Sequence, residues 1–525
     1  MLHGVAGIAG APVTVQHTDG TVEEATFPEL IKPSQPFFDI HALTHTVAPG
    51  LKVTCTMEGD AFEMEDQRNW TDASFKTYIR PLSKPYPYTL AADETVEQRV
   101  ALTVDGPLPA QSDEAAPVKV TLGDAPVGTL PELGLAVAPD LAEAALSSAD
   151  PIRRAGVGHL TCSFDAGTHG ATEMQRFKAL GAATGADLVL EAILPLRDAA
   201  GTFTDDPAVL AADVADVAAA AEGVPFARVV ASPACYLKSY QPDAEWPAAP
   251  DLGAVYAAVR DAFPGAAIGG GMHAYFTELN RKRPPADAID FVTHTTCPIV
   301  HAADDLSVME TLEALPSVVQ SARAIGSGKA TWIGPTAIGM RFNPYGAAPM
   351  PNPDNRRGAM VERDPRQRGL FNAAWTLAYI AHAARNGVAG VCLSAPVGAF
   401  GIAWQAMNWP QPWFDDQPGT PVFPVFHAIA ELAPVAGQPA SATSSRPGAV
   451  AALAANKRLW LANLTAEVQQ VTFDRVAATQ MCMLDAETFA TACAGPEGFE
   501  ATRRPATLPA LTLAPYALCR LDLPG

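Results

Sequence analysis

Over residues 1–130, apolar and polar positions alternate in short runs broken by Gly, Pro and Asp. Pro12-Val13-Thr14-Val15-Gln16-His17, Leu51-Lys52-Val53-Thr54-Cys55-Thr56-Met57 and Val118-Lys119-Val120-Thr121-Leu122 are examples. A period of two puts alternate side chains on one face of a sheet, so this region is expected to be an all-β domain. Over 131–435 the texture changes: short apolar runs alternate with Ala-rich stretches of helical period, which predicts repeated βα units. The last segment, 436–525, returns to strand texture, as in Arg458-Leu459-Trp460-Leu461-Ala462-Asn463-Leu464, and predicts a C-terminal β-sandwich.

The number of central units decides between an open sheet and a closed barrel. Eight apolar runs are found, at 133–138, 159–165, 188–194, 227–231, 267–273, 291–296, 330–334 and 388–395. Eight strands in roughly 250 residues or somewhat more is the requirement of a (β/α)8 TIM-type barrel. The stretches between them have the ends and periods of helices. Asp206-Pro207 is a cap followed by a Leu210, Val214, Val217 stripe, Asp251 caps a helix with Leu252, Val255, Tyr256 and Val259 on one side, and 367–386 carries Phe371, Trp375, Ala378 and Tyr379. No strand–helix unit carries GxGxxG or GxxxxGK[ST], so nothing supports a nucleotide cofactor.

Composition narrows the function classes. The 525 residues are 48% hydrophobic and 17% charged, enough to bury large cores in two to four domains. Lys+Arg of 35 against Asp+Glu of 56 gives a net charge of −21, the wrong sign for a nucleic-acid or anionic-membrane binder. No run approaches the ~20 apolar residues of a membrane span, and Met1-Leu2-His3-Gly4 lacks the basic start of a secretory signal. The eight cysteines are scattered without a CxxC pair, as in a reduced intracellular protein. A cytoplasmic location is therefore expected; oligomeric state is left open.

Barrel enzymes carry their chemistry at the C-terminal strand ends. Those ends nominate Glu191, a lone carboxylate in an apolar run; Cys235 and Lys238; His273 and Glu278; His294, Cys297 and His301; Arg341; and Ser394. The order of units resembles the retaining glycosidase barrels, in which an Asn-Glu-Pro motif ends strand four and a Glu ends strand seven. Those enzymes need two carboxyl groups about 5–5.5 Å apart. Here the corresponding ends read Ala231-Ser232-Pro233-Ala234-Cys235 and Ile333-Gly334-Pro335-Thr336-Ala337, so both carboxylates are absent.

The densest polar block lies outside the barrel, in EMEDQRNWTDASFKTY at 63–78, followed by Arg80-Pro81-Leu82 and Pro85-Tyr86-Pro87-Tyr88-Thr89-Leu90. With Phe27-Pro28-Glu29-Leu30-Ile31 and Gln35-Pro36-Phe37-Phe38-Asp39-Ile40, it resembles the D-apionate lactonase family over essentially the whole chain. The resemblance implies an N-terminal β domain, a central barrel and a C-terminal β domain. It also implies hydrolysis of the five-membered sugar lactone D-apionolactone to D-apionate in apiose catabolism. Members carry further β strands ahead of the segment with which this chain opens, so its first domain is expected to be incomplete at its start.

Opening a lactone needs an activated water or nucleophile, donors for the oxyanion and a proton for the leaving alkoxide. Glu191 is the expected general base, its pKa raised by an apolar strand. His294 and His273 are the candidates for proton transfer or oxyanion donation, and Arg341 and Lys238 for electrostatic stabilisation. In the β-domain block, Glu65, Asp66, Arg68, Asn69, Asp72 and Lys76 are expected to bind substrate hydroxyls, with Trp70 against the sugar ring; Glu278 joins them from the barrel. No cofactor is expected. A divalent metal held by His294, His301 and Asp304-Asp305 is the alternative, although no HxH or HExxH spacing occurs. A glycosidase using Glu191 and Glu278, or a carbohydrate-binding protein without turnover, are the competing functions.

Overall fold

The computed structural model describes residues 2–4, 7–85, 87–108 and 116–524. At its centre eight parallel strands close into a barrel in chain order: Glu132–Val137, His159–Asp165, Asp187–Leu194, Phe226–Pro233, Ala267–Tyr275, Phe291–Thr295, Ala330–Thr336 and Gly390–Leu393. The third strand shows why its sequence is nearly all apolar. Leu188, Leu190 and Ala192 pack outward beneath the helices, while Val189, Glu191 and Ile193 point into the barrel. Both faces are buried, so the one inward carboxylate stands out.

The connecting helices start where their caps predict. The Asp206 carboxylate accepts from the Ala208 N–H at 2.8 Å, with Pro207 at the first helical position of Pro207–Ala220, and Asp251 accepts from Gly253 at 2.8 Å to open Leu252–Ala262. Leu370–Arg385 is buried nearly all round because it lies between the barrel and the C-terminal sheet, not because it is amphipathic.

The N-terminal domain is a mixed-path antiparallel sheet built on Ile40–Ala48, which pairs with Pro12–His17, Leu51–Glu58 and, at Ile40, with Phe62–Asp66. The C-terminal domain is a sandwich of a four-stranded and a five-stranded sheet. One strand departs from the expected domain limits. Val118–Thr121 runs parallel to Gln469–Asp474 and antiparallel to Thr443–Ser444, with Val118 and Val120 inside the C-terminal sandwich. Gly128–Thr129 likewise pairs with Pro439–Ala440. The end of the expected 1–130 domain thus belongs to the C-terminal unit: alternation identifies a strand, whereas its partner, more than 300 residues away, is chosen by packing. Among the described residues no helix is long and apolar enough to cross a membrane.

Candidate active site

At the C-terminal end of the barrel, strands two and three place Ser163 beside Glu191 in register. Both point inward, as does His273 on strand five. His273 is aimed by a local irregularity. Gly271 sits at φ 150°, where an added Cβ would lie 1.8 Å from the Thr293 carbonyl oxygen, and the register with strand six shifts between Gly271 and Tyr275.

Arg341 enters from the long loop after strand seven and completes the cluster. Its Nη1 donates to Glu191 Oε2 at 2.5 Å and its Nη2 to Glu191 Oε1 at 2.9 Å. Ser163 Oγ donates to Oε2 at 3.0 Å, and Arg341 Nη2 also reaches the His273 carbonyl at 2.8 Å. The loop is held in turn by Tyr275, whose hydroxyl donates to the Phe342 carbonyl at 2.7 Å, and by Lys238, whose ammonium donates to the carbonyls of Asn343 and Gly346. Lys238 is therefore a brace for the arginine loop, not the free cation expected.

This geometry corrects the expected role of Glu191. Burial pushes its carboxyl up, but Arg341, His273 and Ser163 outweigh burial and hold it below the ordinary range. A carboxylate clamped at both oxygens by a guanidinium stays ionised and fixes the arginine; it is not a base poised near neutrality. His273 differs. It is 2% exposed, neither ring nitrogen meets a partner in hydrogen-bonding geometry, and burial lowers its pKa although Glu191 works the other way. The Val230 backbone also favours the charged form, but burial prevails and the ring is neutral at pH 7.

Glu278, expected to bind substrate, lies in Phe276–Arg281, the short helix that follows strand five. Its Oε2 accepts from the Tyr275 N–H at 3.0 Å, while Oε1 is buried without a partner. Burial holds its carboxyl up at about 7, offset only in part by Ser239, the Tyr275 N–H and Arg281. His294 is excluded from the cluster by strand alternation. It shares the face of Val292, which packs on the helix layer, and its ring meets Phe276 edge-on at 5.4 Å. Its Nδ1 bonds the Thr295 carbonyl at 3.0 Å and burial takes its pKa down to about 4. Cys235 and Cys297 are buried thiols pushed up to about 11 and about 12 by desolvation, unsuited to nucleophilic attack.

The N-terminal block does reach the barrel's C-terminal end, but its residues divide. Asp66 and Arg68 form a fully buried bidentate pair, and Arg68 also bonds the carbonyls of Glu29 and Pro28 and the hydroxyl of Ser317. Asn69 bonds the Lys32 and Asp66 carbonyls and accepts from Asn280 at 2.9 Å, while its own carbonyl accepts from Thr277. These three dock the domain onto the barrel and have no groups left for a sugar. Lys76 pairs with Glu65 at 3.4 Å on a partly exposed strand. Trp70 and Asp72 form a rim instead: His301 bonds Asp72 at 2.6 Å, its ring lies 5.5 Å from Trp70, and the Arg281 guanidinium sits 5.5 Å from the Trp70 ring centre.

The residues of the metal alternative do not converge. Asp304 caps Asp305–Glu310, Asp305 pairs with Arg357 and Arg366, and His294 faces the helix layer. Among the described residues no three His, Cys, Asp or Glu side chains gather in metal-binding range. Sequence reasoning also missed Ser163 and placed no weight on Asp72–His301. Ser163 was legible as the inward phase of strand two; a contact between residues 229 apart has no sequence signal.

Residues 133–437 match the family model for the D-apionate lactonase TIM barrel domain, 1–107 its N-terminal domain and 447–521 its C-terminal immunoglobulin-like domain. The chain belongs to the D-apionate lactonase family. It is 42% identical over 488 residues to a D-apionate lactonase of Brucella anthropi, covering 91% of this chain and 76% of that one. Among solved structures, a conserved exported protein from Bacteroides fragilis superposes with a TM-score of 0.50 at 8% identity, covering 77% of this chain and 99% of its own. A family 39 glycoside hydrolase from Bacteroides cellulosilyticus WH2 gives 0.47 at 10%, covering 98% and 95%. At 8% identity the likeness to the Bacteroides fragilis protein is one of fold alone. Strands four and seven end at Pro233 and Thr336, where this family member has no carboxylate.

Proposed function

We propose that this protein hydrolyses D-apionolactone to D-apionate. The 42% identity to a D-apionate lactonase along 91% of the chain carries the reading. The barrel mouth supports it, because lactone opening asks for the two kinds of group found there: a neutral base and a protonated acid whose environments set their pKa values apart from the ordinary. His273 accepts a proton from water as the water oxygen bonds to the lactone carbonyl carbon. Arg341, fixed by Glu191, stabilises the oxyanion. As the ring C–O bond breaks, Glu278 gives its proton to the leaving alkoxide. The imidazolium then returns a proton to Glu278, and the free acid ionises. Trp70, Asp72 and His301 form the rim against which the sugar sits.

Every step is assigned to a side chain, so activity is expected to survive exhaustive chelation. The eight buried, unpaired thiols support a cytoplasmic location. The test is acid release from D-apionolactone above the spontaneous rate, run beside aryl glycosides. Release of free sugar from the glycosides with none from the lactone would make the protein a glycosidase. Tight binding of D-apionate with no turnover of either would make it a binding protein.

A further inference from the structure

Ser394 directly follows barrel strand eight, Gly390–Leu393, and is buried. Its backbone lies at φ 62°, in the left-handed region that a residue with a Cβ rarely adopts. The neighbouring strands hold it there: its N–H donates to the Thr336 carbonyl at 2.9 Å, and its carbonyl accepts from the Ala136 N–H at 3.0 Å. Strain fixed in this way collects where a side chain must be aimed. The aiming group is Gln367, a buried residue of the short turn Pro365–Arg368. Its Nε2 donates to the carbonyls of Phe400 and Gly401 at 3.0 and 3.1 Å, and to Ser394 Oγ at 3.1 Å. The two carbonyls fix which way the amide points, and an amide nitrogen only donates. Ser394 Oγ therefore accepts from Gln367 and keeps its own proton, which has no acceptor among the described residues.

Ser394 and Arg341 together line a cavity of about 20 Å³, room for one oxygen the size of water. The other hydroxyls in its wall are engaged: Thr296 and Thr336 bond each other at 2.8 Å, and Tyr275 donates to the Phe342 carbonyl. Both Nη groups of Arg341 are engaged too, Nη1 with Glu191 and Ser163, Nη2 with Glu191 and the His273 carbonyl. The guanidinium keeps only its Nε–H, buried without a hydrogen-bond partner. We propose, resting on the lactonase reading above, that the lactone carbonyl oxygen enters this cavity and that Ser394 Oγ–H and Arg341 Nε–H hold it as it becomes the oxyanion. As water attacks the carbonyl carbon, the electron pair of the C=O bond moves onto that oxygen. Both donors keep their protons, and the C=O bond reforms when the ring C–O bond breaks. Donors fixed before the charge develops need no rearrangement to meet it, which is the use of the strained, amide-aimed hydroxyl.

The test measures kcat and KM for D-apionolactone by acid release. It also measures inhibition by a cyclic phosphonate, in which a tetrahedral phosphorus bearing an anionic oxygen replaces the lactone carbonyl. Ser394→Ala is expected to lower kcat about 10²-fold and to leave KM within about twofold. Inhibition by the phosphonate should weaken by the same factor as kcat/KM, since both report binding of the oxyanion geometry. Ser394→Gly, which also lacks the hydroxyl but adopts the left-handed backbone freely, should be as slow as Ser394→Ala. A Gly variant that regains the wild-type rate would make the residue a backbone element and overturn the proposal. So would Ser394→Ala within about threefold of the wild-type kcat, or a fall in kcat that leaves phosphonate inhibition unchanged. A wild-type chain that releases no acid from D-apionolactone overturns the lactonase reading itself, and this role of Ser394 with it.

Discussion

The two ends of the barrel hold clusters of the same composition, an arginine, a glutamate and a histidine, and use them differently. At the N-terminal end, His159 Nδ1 and Arg228 Nη2 both meet Glu132 Oε1 at 2.8 Å, and the Arg228 guanidinium lies 3.9 Å from the centre of the Trp332 ring. Burial raises the Glu132 carboxyl, but His159 and Arg228 bring it down to about 2. At the C-terminal end Arg341 clamps Glu191 through both carboxylate oxygens and leaves the His273 ring outside the clamp, three residues before the helix that carries Glu278. A closed triad stabilises; an open one keeps donors and acceptors for a ligand. The difference lies in hydrogen-bonding capacity and in burial, since the Glu132 side chain is 34% exposed and that of Glu191 6%, not in residue type.

The comparison breaks first at Arg341. Arg341→Met is expected to lower kcat/KM by about 10³-fold or more and to destabilise the fold by roughly 3–5 kcal/mol, because it leaves Glu191 buried and unpaired. Adding Glu191→Met should recover stability in urea unfolding without recovering activity. If activity returns, the pair is structural and the mouth is no different from the base.

Glu278→Gln comes next, with a loss of about 10²-fold in kcat/KM. As an acid with a pKa of about 7, Glu278 must be protonated, so wild-type kcat/KM should fall as pH rises through about 7, and the variant should lose that limb. Stability moves the other way. A carboxyl whose folded pKa is raised contributes stability that is present below its unfolded value and lost as pH rises through about 7. At pH 8 the variant should therefore be more stable than wild type, by ~3 kcal/mol at most. Thermal unfolding at pH 5 and pH 8 reads the sign.

At the closed end, Arg228→Met is expected to cost only about 1–2 kcal/mol, since solvent reaches Glu132 and His159 still holds it. Its kcat should stay within about twofold of wild type. A larger fall in kcat would show that the base of the barrel contributes to the reaction. The smallest effect belongs to Glu65→Gln, whose partly exposed partner Lys76 makes the pair worth less than about 0.5 kcal/mol. Unchanged KM there would separate the docking strand from the Trp70–Asp72 rim, where Asp72→Asn should raise KM several-fold.

Much of this was legible in the sequence. Eight strands fell within a few residues of their expected positions, because a barrel strand buried on both faces reads as an apolar run whatever its neighbours are. Glu191, His273 and Arg341 were nominated by the same rule, as polar residues at strand ends. What failed was the assignment of state. Glu191 was read as a base in an apolar strand, and the sequence holds no trace of the guanidinium that arrives from 150 residues further on to ionise it. Asp66, Arg68 and Asn69 looked like a binding block because polar density does not distinguish groups facing a ligand from groups facing a domain interface.

By itself the sequence determined the order of the elements, the closed barrel and the family, since these follow from periodicity, caps and a polar motif read locally along the chain. Tertiary structure alone decided that Val118–Thr121 belongs to the last domain, that His294 faces helices while His273 faces the barrel interior, and which carboxyl is charged. Each of those depends on partners brought together across one hundred or more residues, or on which side of a strand a group falls after a bulge. Protonation follows partners and burial, and these exist only once the barrel has closed.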